Sequence, residues 1–104
     1  MEHAVVIHLK LDNDEFGSDA VRASIDALSE ELKTAVDDAS AGEFDGDQFG
    51  QGECVLYFYG PDADILYDVI RPPLSRSPHS TGGQVMKRYG DPADPNAREV
   101  LTEL

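Results

Sequence analysis

The sequence predicts an α+β protein, a ferredoxin-like βαββαβ sandwich with an antiparallel sheet in the strand order 4-1-3-2 and two helices on one face. Two observations lead to this fold class. Residues 54–59 are an uninterrupted run of β-forming residues that ends at Gly60-Pro61 and passes directly into a helical pattern. The other patterns complete the order β-α-β-β-α-β. Because a chain of 104 residues has the length of one domain, residues 1–104 are expected to form a single ferredoxin-like domain.

The first half of the chain contains a strand, the longest helix and a weak second strand. Residues 4–11 place apolar side chains at alternate positions, as a half-buried strand does. Ser18 is positioned to cap a helix whose apolar residues recur at three- and four-residue steps to about Asp38. In residues 43–52, glycine and aspartate interrupt a sparse apolar pattern, so we expect a bulged edge strand.

The central strand and the helix after it form the organising unit. Because side chains alternate along a strand, one set of side chains from residues 54–59 points toward the helices, and Tyr57 and Tyr59 point to the open face of the sheet. The set toward the helices is Cys54, Leu56 and Phe58. Pro61 suits the first position of the second helix, and Pro72-Pro73 predicts that this helix ends or kinks at Arg71.

The last third contains a further strand and a prolonged turn. Residues 75–83 read as a connecting loop, and residues 84–89 as a fourth strand with Lys87 and Tyr89 on one face and Arg88 on the other. Residues 90–96 form a turn with two prolines, after which residues 98–104 can return as a fifth, C-terminal strand.

Three segments carry a resemblance to known proteins. They are GEFDGDQFGQGE, then YFYGPDADILYDVI with the PPL that follows, then GGQVMKRYG, all within residues 42–90. This combination resembles a family of small uncharacterised bacterial proteins with a ferredoxin-like fold. The resemblance implies the fold and no activity, because its motifs are turns and strands.

The charge balance limits the partners of this chain. Its 21 acidic residues against 8 basic ones give a net charge of −13, which argues against nucleic acid or an anionic membrane as partner. One alternative is an acidic antitoxin or immunity-like protein that mimics nucleic acid; another is an acidity that serves solubility or a salty environment. No apolar run approaches a membrane span, and the single cysteine, Cys54, reads as an inert core thiol, so a cytoplasmic location is expected.

The sequence supplies no motif of catalysis, metal binding or cofactor binding. Carboxylates cluster in short sets such as 12–15 and 45–47, but none completes a calcium loop, and no glycine-rich phosphate loop occurs. We therefore predict no catalytic residues, no metal and no cofactor. The expected function is a non-enzymatic acidic binding or interaction module.

A group of basic and aromatic residues on the open face is the predicted site. In the order 4-1-3-2 the first strand lies between the third and the fourth, which would gather the candidates His8, Lys10, Tyr57, Tyr59, Lys87 and Tyr89. We expect this face to form a homodimer, with another protein as a further candidate partner. The alternative is a small-ligand binder or enzyme that uses His8 and the open-face tyrosines. A register shift of one residue would exchange Lys87 for Arg88.

Overall fold

The computed structural model describes residues 2–91 and 93–104 and has the α+β architecture that the sequence predicts. A five-stranded antiparallel sheet has the order β2-β3-β1-β4-β5, and two helices pack on one of its faces. The C-terminal strand is present, and a short 3-10 turn spans Pro78–Ser80. The elements are β1 His3–Lys10, α1 Asp19–Asp38, β2 Glu43–Gly50, β3 Glu53–Gly60, α2 Ala63–Arg76, β4 Gln84–Tyr89 and β5 Arg98–Glu103.

The core lies between the sheet and the two helices. Its main part comes from alternate residues of β1 and β3, the two strands that occupy the middle of the sheet, and from the apolar stripes of α1 and α2. The prediction that Cys54, Leu56 and Phe58 point toward the helices is confirmed, because all three are fully buried in this cluster. Among the described residues no helix covers the opposite face of the sheet, so the sheet has one covered and one open face.

Both helices begin with side-chain caps. The cap of α1 is the predicted one, and α2 begins later than predicted. Ser18 caps α1, and its hydroxyl oxygen accepts a hydrogen bond from the backbone N–H of Val21 at 3.2 Å. In α2 the cap is Asp62, whose carboxylate accepts from the N–H of Asp64 and of Ile65. Pro61 therefore lies before the helix and not at its first position, which corrects the prediction.

The end predicted for α2 at Arg71 is wrong, because the helix continues through Pro72 and Pro73 to Arg76. Each proline removes one N–H donor from the helix and restricts the residue before it. Pro73 and Leu74 are nevertheless buried against the core. Burial of this last turn outweighs the local preference, as tertiary packing often does.

The strand β2 forms one edge of the sheet and is bulged as predicted. Its register with β3 shifts between Phe44 and Gly46, where Asp45 has no direct partner. The turn into β2 is tight, because a Cβ on Gly42 would collide with the carbonyl oxygen of Tyr59. Pro92, one of the two prolines of the predicted turn at 90–96, lies outside the described residues. Within residues 2–91 and 93–104, no helix is both long and apolar enough to cross a membrane.

Candidate functional site

An apolar band runs across the middle of the open face. The antiparallel register places Val6 of β1 opposite Tyr57 of β3 and Met86 of β4, and Met86 in turn opposite Leu101 of β5. Directly opposite residues of an antiparallel pair project on the same side of the sheet. We call Tyr57, Val6, Met86 and Leu101 the open-face band.

The open face is apolar enough to bury its own centre without a covering element. Ala4, Val6 and Val55 are buried, and the partly buried Tyr57, Tyr59 and Met86 pack around them. Burial, with a smaller contribution from the Asp45 carboxylate, raises the pKa of Tyr59. Leu101 extends this surface toward the edge and is 60% exposed, so apolar area remains in contact with water.

The expected placement of Lys87 and Tyr89 on the open face is wrong. Lys87 lies opposite Val5, a fully buried core residue, and Tyr89 lies two residues further along on the same side. Both side chains therefore project toward the helices. Arg88 takes the open-face position opposite Ala4, which is the one-residue exchange that the sequence left open.

Lys87 and Tyr89 belong to a polar cluster at the beginning of α2. The Lys87 ammonium donates a hydrogen bond to Asp64 at 3.1 Å, and the Tyr89 hydroxyl donates to the same carboxylate oxygen at 2.5 Å. The hydrogen bond from Tyr89 and the one from Lys87 lower the pKa of Asp64, and the bond to Asp64 raises the pKa of Lys87. Lys87 also lies over the ring of Tyr67, at 5.4 Å from its centroid. This cluster ties β4 to α2.

The predicted basic patch does not form on the open face. Lys10 and Ala4 lie at opposite ends of β1, about 20 Å apart at the usual rise per residue, and Arg88 is level with Ala4. Arg88 is also engaged, since its guanidinium donates to Glu99 at 2.6 Å and to the main-chain carbonyl of Asp94. On this face His8 lies two residues from Lys10 in β1, whereas Tyr57 and Tyr59 of β3 lie opposite Val6 and Ala4, so the remaining candidates are spread along the two strands and form no single cluster.

A cleft of about 510 Å³ opens beside the open-face band, between β1, β3, β2 and the loop before α1. The Nδ1 atom of His8 lies 3.5 Å from a carboxylate oxygen of Glu53, and the Tyr57 hydroxyl donates to Gln48 at 3.3 Å. Of the predicted candidates, only His8 and Tyr57 line this cleft. The full lining is His8, Phe16, Gln48, Gly50, Gln51, Glu53, Val55 and Tyr57.

The loop at residues 11–18 holds Phe16 at the rim of the cleft. The Asn13 side-chain oxygen accepts from the N–H groups of Glu15 and Gly17 at 2.9 and 3.0 Å, and Asp12 accepts from the N–H of Ser18 at 2.8 Å. The hydrogen bond from Ser18 lowers the pKa of Asp12. Sequence reasoning missed Phe16, although the run of Asp and Asn before it is typical of side chains that organise a loop.

Comparisons with protein-family models, with curated proteins and with solved structures found no match for this chain. In the part of the chain that the structure describes, no group of three or more His, Cys, Asp or Glu side chains is arranged to hold a metal ion. The geometry of the open face and of its cleft therefore carries the functional argument.

Proposed function

We propose that this protein is a non-enzymatic interaction module that forms a homodimer through the open face of its sheet. The single observation that carries the proposal is the open-face band, which is continuous across β3, β1, β4 and β5 and ends in the exposed Leu101. Contiguous apolar surface of this kind on a protein with a net charge of −13 is typical of an interaction site. A second copy supplies an identical apolar surface and requires no other gene product.

The size of the face is sufficient for a dimer of modest affinity. Five strands spaced about 4.8 Å apart, each about 20–25 Å long, give a face of about 500 Å². Two such faces would bury about 1,000 Å² together, which is the lower bound for a specific interface. We therefore expect a dimer that dissociates on dilution.

Polar residues of the open face flank the open-face band, and this arrangement supports the same proposal. Arg88 pairs with Glu99 on one side of the band, and Gln84 donates to Glu103 at 2.9 Å on the other. An apolar centre with a partnered polar rim is the usual organisation of an interface. Within one copy Gln84, Glu99, Glu103 and both Nη atoms of Arg88 already have partners, whereas the buried Nε of Arg88 has none in the described parts of the chain.

We also propose a ferredoxin-like fold and a cytoplasmic location for this protein. Taken from the β5 edge, the strand order is β5-β4-β1-β3-β2, in which one added strand precedes the order 4-1-3-2. This order supports a ferredoxin-like assignment with β5 appended. The cytoplasmic location rests on the sequence, and the buried free thiol of Cys54 is compatible with a reducing compartment.

The test is sedimentation of the wild type and of two matched variants. Leu101→Asp places a charge in the open-face band, and Ile65→Asp makes the same kind of change on α2, where Ile65 is 56% exposed. We expect Leu101→Asp to weaken dimerisation at least tenfold, because a carboxylate would be desolvated in the interface, and Ile65→Asp to have no effect. Tyr57→Asp should behave as Leu101→Asp does. A wild type that remains monomeric at about 1 mM would refute the proposal.

The alternative function, a small-ligand binder or an enzyme that uses His8, is favoured by one observation. The cleft is of ligand size and contains His8 with a carboxylate beside it. An imidazole oriented by a carboxylate can act as a base, but no Ser, Thr, Cys or Lys that it could activate is among the residues that line the cleft. We therefore favour binding over catalysis for this cleft.

A further inference from the structure

We propose that the cleft beside the open-face band binds a small organic cation, an ammonium group attached to an aromatic or apolar body. This goes beyond the proposed dimer. The cleft combines three properties that such a ligand requires: exposed aromatic surface, hydrogen-bond acceptors that converge, and a negative charge.

The phenyl ring of Phe16 is held in place by its loop and does not belong to the core clusters. Phe16 is 57% exposed, yet its loop is fixed by backbone N–H groups that donate to the side-chain oxygens of Asn13 and Asp12, and by the N–H of Gly52, which donates to the carbonyl of Glu15 at 2.9 Å. A loop this well bonded could turn a phenyl ring toward the core. Instead the ring stands over Gly50 at the cleft, where it offers its surface to a ligand.

The polar groups of the cleft are arranged mainly as acceptors. The Nδ1 atom of His8 lies 3.5 Å from a carboxylate oxygen of Glu53, and the side-chain oxygen of Gln48 accepts a hydrogen bond from the Tyr57 hydroxyl. The Glu53 carboxylate accepts only. A ligand that brings several N–H donors, as an ammonium group does, can satisfy these acceptors together.

The charge of the cleft has one sign. Glu53 is its only carboxylate, and neither lysine nor arginine occurs among its lining residues. Lys10 is opposite Glu53 in the register, but its side chain extends beside Gly82, on the β4 side of β1. The net charge of −13 further raises the local concentration of cations at this surface. Carboxylate and aromatic rings together are the usual means of recognising an organic ammonium.

The probe is benzylamine, whose ammonium group is charged at pH 7, and the matched probes are benzoate and benzyl alcohol. Chemical shifts of the backbone amides are followed in ¹H–¹⁵N spectra, with each probe added up to about 10 mM. We expect benzylamine to shift the amides of Gly50, Gln51, Glu53 and Val55, and the other two probes to leave them unchanged. Added salt should weaken the binding, because the site is open to solvent.

Variants identify the groups that recognise the probe. Glu53→Gln and Phe16→Ala should each reduce the affinity for benzylamine about twofold to fivefold. Glu43→Gln is the matched control: it makes the same charge change on the same face, opposite Tyr59 and outside the cleft. Glu43→Gln should leave the affinity unchanged.

The result that overturns the proposal is equal binding of benzoate, or no shift of the cleft amides by benzylamine. Equal affinity of Glu53→Gln and the wild type would overturn it as well. The cleft shares Tyr57 with the open-face band and would be covered in a dimer through the whole face, so the titration is also made on the Leu101→Asp variant, designed to be monomeric, whose substituted residue does not line the cleft. Failure of dimerisation with benzylamine binding intact would refute the dimer alone, and the reverse result would refute the cation site alone.

Discussion

Leu56 is the position at which the two-layer arrangement can be tested most directly. It lies in β3 opposite Ile7 of β1 and Asp47 of β2, is fully buried, and belongs to the cluster between sheet and helices. Replacing Leu56 by alanine removes three carbon atoms from a region closed by helices on one side and by strands around it. The surrounding residues can relax only in part, so a cavity remains.

The cost follows from these surroundings. A buried Leu→Ala change loses the transfer free energy of the deleted atoms and adds a cavity term, together about 3–5 kcal/mol in rigid sites. The rigid position of β3 between two paired strands places Leu56→Ala in the upper part of that range. For a domain of this length each kcal/mol lowers Tm by about 4–8 °C, so we expect a decrease of at least about 16 °C.

The measurement is the free energy of unfolding by urea and the Tm of three variants at low protein concentration. Leu101→Ala makes the same chemical change at an exposed site and should cost less than about 1 kcal/mol. Tyr59→Ala, on the open face, should cost clearly less than Leu56→Ala. Equal large losses at Leu56 and Tyr59 would show that the sheet is covered on both sides, and the reasoning about an open face would fail.

Three further predictions concern single groups. Burial raises the pKa of the Cys54 thiol to about 12, so it should not react with a thiol reagent at pH 8 until the protein unfolds in denaturant. Asp62→Ala removes the cap of α2 and should lower the free energy of unfolding by about 1 kcal/mol in a urea titration, whereas Asp62→Asn should restore most of it. The pKa of Asp64 is lowered in the fold, so its contribution is present above the ordinary carboxyl pKa and is lost as the pH falls through the lowered value. Asp64→Asn should therefore be less stable than the wild type at pH 7, and the difference should disappear in acid; a difference that stays constant with pH would contradict the ion pair with Lys87.

The sequence predicted most elements of this fold because their patterns have one interpretation. In β3 every residue from Cys54 to Tyr59 forms strands readily, and the alternation in β1 separates core positions from open-face ones. The Pro72-Pro73 pair locally predicts the end or a kink of the helix, but packing against the core overrides this preference. Local sequence propensities do not account for the burial of the last turn of α2 against the core, so they predicted the helix end too early.

The candidate site was predictable only in part, and β4 shows why. Along this strand Val85 and Lys87 alternate with Met86 and Arg88, so each face receives one apolar side chain and one cation. The pattern cannot choose between them. The choice depends on Asp64, which lies at the beginning of α2 and receives the Lys87 ammonium, and this contact exists only in the folded chain. The cleft was missed for the same reason, since it joins a loop to residues of three strands.

The two edge strands of the sheet determine which kinds of self-association are open to this molecule. The free edge of β2 is interrupted at Asp45, where the backbone bulges, and the other edge, β5, carries Glu99 and Glu103. Bulges and charges at sheet edges hinder the addition of further strands, which is how many β-sheet proteins avoid growing into fibrils. Association through a face is symmetric and ends when that face is used. With the proposed face-to-face dimer, concentrating this protein should therefore give closed pairs that redissolve on dilution, and not the open-ended stacks that an unguarded sheet edge would template.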